Sequence, residues 1–269
     1  MEQPRSSQRY VKKIRDDEPR LVADLHRIAV EHPRWGYRRV HWQLGEEGWH
    51  VNRKRVCRLW RREGLKVTKN SRFKRAKGSD KNACDKRPAT HRNDVWALDF
   101  TFDRLENGRQ LKWLVVEDEF TREVKLSVGT KFRASDVKAA LAALIKERGL
   151  PNAIRCDNGS EFVERDLVSW LAWLGVKMLH IAPGSPWQNG CCESFNSKFE
   201  DEFLSRNIFE DLRSAVGLTT MFELEYNAYR PHSSLGYVPP SKFAAQLPPP
   251  SPLVAPLPSP QAAAARQAR

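Results

Sequence analysis

No run of eighteen apolar residues occurs anywhere in the 269-residue chain, so no segment reads as a membrane-spanning helix. The opening stretch, Met1-Glu2-Gln3-Pro4-Arg5-Ser6-Ser7-Gln8-Arg9, has no apolar block behind its charges and is not a secretory signal by pattern. Five cysteines (57, 84, 156, 191 and 192) include no C-x-x-C pair, and two of them are adjacent. Such spacing argues against a disulfide framework and for a reducing, cytoplasmic setting. His26, His32, Cys57 and Cys84 also lack the spacing of a tetrahedral zinc site.

Acids are scarce in the first third. Residues 1–92 carry 26 Lys and Arg against 11 Asp and Glu, a surplus of +15, whereas residues 93–269 carry 20 against 22. The net charge of +13 is therefore the property of one segment. A basic module beside a near-neutral one implies a division of labour, with phosphate binding in the first and chemistry or protein contact in the second.

Periodicity predicts three short helices within residues 16–64. Leu21, Val22, Leu25, Ile28 and Ala29 form one apolar stripe, ended by Pro33. A second helix is expected over 37–44, closed by Gly45 and Gly48. The third runs over 53–63, with Asn52 as its N-cap and Gly64 just past its end. Its Val56, Leu59 and Trp60 share one side, and Arg53, Lys54, Arg55, Arg58, Arg61 and Arg62 supply the rest. This is a helix-turn-helix layout, whose last helix offers side chains to the major groove. The expected DNA contacts are Arg38, Arg39, Arg53, Lys54, Arg55 and Arg58.

Beyond residue 94 the pattern changes to short β-branched and aromatic runs at 95–101, 111–117 and 124–128. A helix at 134–148, a strand at 153–156, a helix at 166–174 and a strand at 177–181 follow, then helices from about 189 past 203 and over 212–229. This is the element order of an α/β ribonuclease H-like core, a mixed five-stranded sheet flanked by helices, here preceded by a small all-α domain. The expected domains are a helix-turn-helix unit over 1–66, a basic linker over 67–93 and a core over 94–245. Residues 246–269 carry seven prolines between 248 and 260 and an alanine-rich end, and are expected to be a disordered tail.

Three acids stand out by their surroundings. Asp99 lies in Val95-Trp96-Ala97-Leu98-Asp99-Phe100-Thr101, Asp157 in Cys156-Asp157-Asn158-Gly159-Ser160-Glu161-Phe162, and Glu193 in Cys191-Cys192-Glu193-Ser194-Phe195-Asn196. Thirty-five residues separate the last two. A lone carboxylate in a central strand is costly, and a bound cation removes that cost. Three carboxylates from separate elements can hold two divalent cations about 4 Å apart against a phosphodiester. The remaining acids read more plainly. Asp94, Asp103, Asp118 and Glu119 are expected at turns or on the surface, and Glu161 and Glu164 at a helix start.

Taken with His32-Pro33-Arg34-Trp35-Gly36-Tyr37-Arg38-Arg39, Gln188-Asn189-Gly190 and Tyr226-Asn227-Ala228-Tyr229-Arg230-Pro231-His232-Ser233-Ser234-Leu235-Gly236-Tyr237, these motifs make residues 16–245 resemble a transposase of the retroviral-integrase superfamily. The resemblance is to the second-reading-frame proteins of a large bacterial insertion-sequence family. It implies Asp99, Asp157 and Glu193 as catalytic metal ligands, with two Mg²⁺ or Mn²⁺ ions per active site. It implies strand cleavage and strand transfer at terminal inverted repeats of double-stranded DNA, by a homo-oligomer, in the bacterial cytoplasm at the nucleoid. An upstream-frame helix-turn-helix and leucine-zipper protein is a further implied partner. Two positions depart from the family pattern. Glu200 stands seven residues after Glu193, where Lys or Arg is usual, so the DNA contact is expected to fall to Lys198. Cys191-Cys192 replace aromatic or aliphatic residues. A nuclease of the same fold would need neither the helical module nor the 226–237 segment, and a remnant that only occupies DNA is favoured by Glu200 alone.

The charge partition has a direct consequence. Residues 1–92 should bind duplex DNA with a steep salt dependence, losing roughly 10³–10⁵ in affinity between about 50 and 200 mM salt for six to ten neutralised phosphates. Residues 93–269 should bind weakly under the same titration. Equal affinities would contradict two modules.

Overall fold

The computed structural model describes residues 15–67, 88–180 and 190–248. They fall into two compact units, one within Met1–Ala76 and the other within Lys77–Arg269. Most of the expected basic linker, the Pro183-Gly184-Ser185-Pro186 loop and almost all of the expected tail lie outside the described residues.

The described part of the first unit has three helices, α1 (Glu18–Glu31), α2 (Tyr37–Glu46) and α3 (Arg53–Arg62). Their stripes meet in one core of Leu21, Leu25, Ile28, Trp35, Val40, Leu44, Val56, Leu59 and Trp60. Asn52 caps α3 as expected, its Oδ1 accepting from the Lys54 N–H at 2.8 Å. Helix α2 continues through Gly45 to Glu46, and the turn is made at Gly48 with φ +87°. Acids at the start of α1 meet bases of α3. The Arg55 guanidinium forks onto Asp17 at 2.6 and 2.8 Å, and Arg62 donates to the buried Glu18.

The second unit is built on a five-stranded sheet in the order β3-β2-β1-β4-β5. Strands β1 (Val95–Arg104), β2 (Gln110–Asp118) and β3 (Val124–Gly129) are antiparallel neighbours. Strands β4 (Ala153–Cys156) and β5 (Lys177–His180) join β1 in parallel. Alternation along β1 sends Trp96 and Leu98 to one face, where Val137, Leu141 and Leu144 of α4 (Ala134–Arg148) cover them. A short α5 (Ser160–Val163) and α6 (Arg165–Trp173) complete that layer.

On the other face lie Trp113, Val115, Val124 and Leu126. They are covered by α7 (Gly190–Glu202) through Phe195 and Phe199, and by α8 (Leu212–Ala228) through Ala215, Phe222 and Tyr226. Helix α7 stops at Glu202 rather than passing Phe203, because Phe203 leaves helical geometry (φ −124°, ψ −65°) and a 3₁₀ turn follows. A last short helix, α9 (Pro240–Ala244), was not anticipated.

Two of the acids expected at turns or on the surface are at turns but buried. Asp118 accepts from the backbone N–H groups of Asn93, Phe120 and Thr121 at 2.7–2.9 Å, and Asp94 from Thr90 at 2.9 Å. Glu119 is also covered, paired with Arg155 at 2.7 Å. Backbone donors and one guanidinium satisfy carboxylates that would otherwise stay in water.

Candidate active site and nucleic-acid interface

Strand β1 is central, and Asp99 lies halfway along it on the face covered by α7. Directly opposite it on β2 is Val115. Asp99 is held from two sides. Its Oδ1 accepts from the Phe100 N–H at 2.8 Å and its Oδ2 from the Asn196 side-chain amide of α7 at 2.7 Å. Burial pushes its carboxyl up to about 6, and the charges of Asp157 and Glu193 push in the same direction, while the two hydrogen bonds oppose them. The amide of Asn196 ties α7, which carries Glu193, to Asp99, and β4, which leads into Asp157, pairs beside β1. Asp157 and Glu193 are exposed to solvent.

Asp157 follows the last residue of β4. Its Oδ1 accepts from the Gly159 N–H at 2.9 Å, and a Cβ at Gly159 would meet that oxygen at 3.0 Å. The loop is pinned further along by Glu161, which pairs with Lys112 of β2. Lys112 in turn lies 3.7 Å from the centre of the Phe100 ring. Glu193 is in the first turn of α7, one turn before Asn196.

The nearby thiols are poor ligands at neutral pH. Burial pushes Cys156 up to about 12 and Cys191 up to about 11, and Cys192 rises as well. Cys191 instead receives a hydrogen bond from Arg122 at 2.8 Å. The donor set is thus oxygen, which fits Mg²⁺ or Mn²⁺. Among the described residues, Asn196 Oδ1 and Thr101 Oγ1 are buried without hydrogen-bond partners. The first belongs to the amide that holds Asp99, and the second lies two residues along the same strand face. Also among the described residues, no three His, Cys, Asp or Glu side chains are gathered tightly enough to hold an ion between them.

The sequence pattern singled out the three acids but gave no role to Asn196 or Lys112. Asn196 was legible in principle, since three residues after Glu193 places it on nearly the same helix face. Lys112 was not, because its partner is 49 residues away.

The expected DNA contacts divide. Arg53, Lys54 and Arg58 are exposed on α3 and line one concavity with Tyr37, Cys57 and Arg61. Arg38 is exposed on α2 with its guanidinium 5.8 Å from the Tyr37 ring centre, and Arg39 is half-buried. Arg55 is placed differently from these. Its side chain is 10% exposed and forked onto Asp17, so it ties α3 to the start of α1. Lys198 is half-buried and Glu200 exposed on α7, both within the second unit. Among the described residues, no helix is long and apolar enough to cross a membrane.

Residues 89–186 and 174–240 match models of an integrase core domain, and residues 15–73 match an HTH-like domain. The uncharacterized protein of insertion element IS407 from Burkholderia multivorans is 41% identical over 227 residues, covering 84% of this chain and 81% of that protein. The uncharacterized protein of insertion element IS476 from Xanthomonas euvesicatoria is 41% identical over 226 residues, 84% of this chain. This chain spans 64% of that relative's length. Among solved structures, a chain of the simian T-cell lymphotropic virus intasome, in complex with PP2A regulatory subunit B56 gamma, shares the fold. Its TM-score is 0.53 at 16% identity, covering 88% of this chain and 79% of that one.

The raised Asp99 carboxyl makes a stability prediction. Its folded value, about 6, lies above the ordinary 3.8, so the folded state holds the proton more tightly than the unfolded chain does. Its contribution is therefore present below pH 4 or so and is lost as pH rises through about 6. Asp99→Asn should stabilise the cation-free protein at neutral pH by about 1–3 kcal/mol, with the gain vanishing toward pH 4. Urea denaturation of both proteins across that range checks it, and Glu117, pushed up to about 7 by burial, is common to both. Equal stability at neutral pH would show that Asp99 is well solvated.

Proposed function

Because the chain belongs to the integrase-core family of insertion-sequence proteins, we propose that it is a DNA transposase whose Asp99, Asp157 and Glu193 hold two divalent cations. One observation carries this reading. Asn196, one turn after Glu193 on α7, holds the central-strand Asp99 at 2.7 Å, and β4, which ends just before Asp157, runs parallel beside β1. The basic surplus of residues 1–92 supplies a separate surface for duplex.

When bound, Mg²⁺ or Mn²⁺ would neutralise the three carboxylates, activate water or a DNA 3′-hydroxyl, and stabilise the leaving 3′-oxygen. The chain's own residues prepare that site. The Phe100 N–H and the Asn196 amide fix the Asp99 carboxylate, and the Gly159 N–H turns Asp157. The Lys112–Glu161 pair holds the loop after β4 against the sheet. No Ser or Tyr nucleophile is needed, since phosphoryl transfer with an attacking water or hydroxyl rests on positioning and charge stabilisation. Arg38, Arg39, Arg53, Lys54 and Arg58 would grip duplex by its backbone, with α3 toward the major groove. Two element ends must be held together, so the active form is a homo-oligomer.

A second reading, a remnant that binds DNA without cutting it, is favoured by Glu200. Seven residues place it about 20° from Glu193 around the helix axis, so an acid points toward phosphate. The test is cleavage and joining of an oligonucleotide carrying the element's terminal repeat. Asp99→Asn, Asp157→Asn and Glu193→Gln should each abolish both reactions and leave DNA binding intact. A residue whose variant keeps more than about a tenth of the activity, a loss of about 1.4 kcal/mol, is not a ligand.

Glu200→Lys should raise activity by up to about fivefold, the equivalent of about 1 kcal/mol at an exposed site. Lys198→Ala should lower it modestly. A wild-type protein that binds the repeat but never cuts it would favour the remnant.

A further inference from the structure

The segment at residues 226–237 has no part in the reading above, yet its first residues grip the helix that carries Glu193. At the far end of α7, Arg230 forks onto Glu202 with both hydrogen bonds at 2.6 Å. The two side chains are only 4% and 10% exposed. Near the start of α7, Tyr226 meets Phe195, two residues after Glu193, edge-to-face at 5.1 Å. Both rings are buried, and the Arg230 guanidinium also lies 5.0 Å from the Tyr226 ring centre.

The gripping residues are themselves anchored to the sheet. Asn227 accepts from the Val124 N–H at 2.9 Å and donates to its carbonyl at 2.8 Å, which fastens the end of α8 to the edge strand β3. After Arg230 the chain closes on itself. The N–H groups of Leu235 and Tyr237 donate to the His232 carbonyl at 3.0 and 2.9 Å, and Gly236 and Tyr237 have φ of +65° and +72°. A bidentate guanidinium–carboxylate pair fixes angle as well as distance, and a lysine in the same place would not.

We propose that Arg230 and Tyr226 are positioning residues for Glu193, acting through Glu202 and Phe195 to set the register and tilt of α7 against β1. The brace itself is read from contacts, while its purpose rests on Glu193 being a metal ligand. A turn of slack at either end would move Glu193 relative to Asp99, whose strand is paired on both sides, and relative to Asp157, which directly follows β4.

The test uses the full chain without divalent cations, as wild type, Arg230→Lys and Glu202→Asp. Amide hydrogen exchange is followed in peptides covering 190–202 and in peptides covering β1 and β2. The brace requires exchange in 190–202 to rise about tenfold or more in both variants while the sheet peptides stay unchanged. In cleavage assays the same variants should need several-fold more Mg²⁺ for half-maximal rate, with affinity for the terminal repeat unaltered.

Unchanged exchange in 190–202 would overturn the proposal, and so would a rise matched across the sheet, which makes the pair a support of the whole unit. Failure of both variants to fold would count the same way. If exchange rises as expected while the wild type never cuts DNA, the brace stands and the transposase reading falls.

Discussion

A carboxylate on the central strand of a sheet covered on both faces raises the free energy of the fold unless its surroundings offset it. Asp99 is that carboxylate, with strands hydrogen-bonded on either side of β1 and α7 above it. The offset is partial. Two hydrogen bonds favour its charge, while burial and two neighbouring acids oppose it and win, which leaves the group titrating near 6. A fold selected for stability alone would place an apolar residue at this position. A bound cation would offset that cost, and among the described residues the oxygens of Asn196 and Thr101 on the same face are buried without partners.

Helix α7 follows from the same constraint. Its inward stripe of Cys192, Phe195 and Phe199 fills the space over β1 and β2 and leaves Glu193 at the edge, exposed. Asn196 stands between stripe and edge and reaches Asp99. The rings of Phe195, Phe199, Phe203, Phe222 and Tyr226 stack or meet edge-on in one run, so the helix is held along its length. The first unit has a different economy of charge. It keeps two arginines for its own cohesion, Arg55 and Arg62 on Asp17 and Glu18, and leaves Arg53, Lys54, Arg58 and Arg61 facing outward.

Much of this was legible in the sequence where period and punctuation agreed. Helix α4 begins and ends where its apolar stripe does, with Gly149 at φ +95° just past its end. The three strands of the meander each extend by one to three residues beyond their apolar cores. What stayed hidden has physical reasons. Helices α5 and α9 have four and five residues, too few to show a period. Asp94 is satisfied by the Thr90 N–H four residues back, and Asp118 by its own turn and by the Asn93 N–H of another loop, which composition does not reveal. Arg55 and Arg53 look alike in a list of bases, yet Arg55 lies a heptad from Arg62 on the flank beside Leu59, and that phase could have marked both as structural.

The central claim is that Asp99, Asp157 and Glu193 share divalent cations. Anomalous scattering from a crystal of the protein with terminal-repeat DNA and Mn²⁺ measures it most directly. Two manganese peaks about 4 Å apart among Asp99, Asp157 and Glu193 are expected. Peaks elsewhere, or a site that stays empty while the DNA is bound beside it, would contradict it.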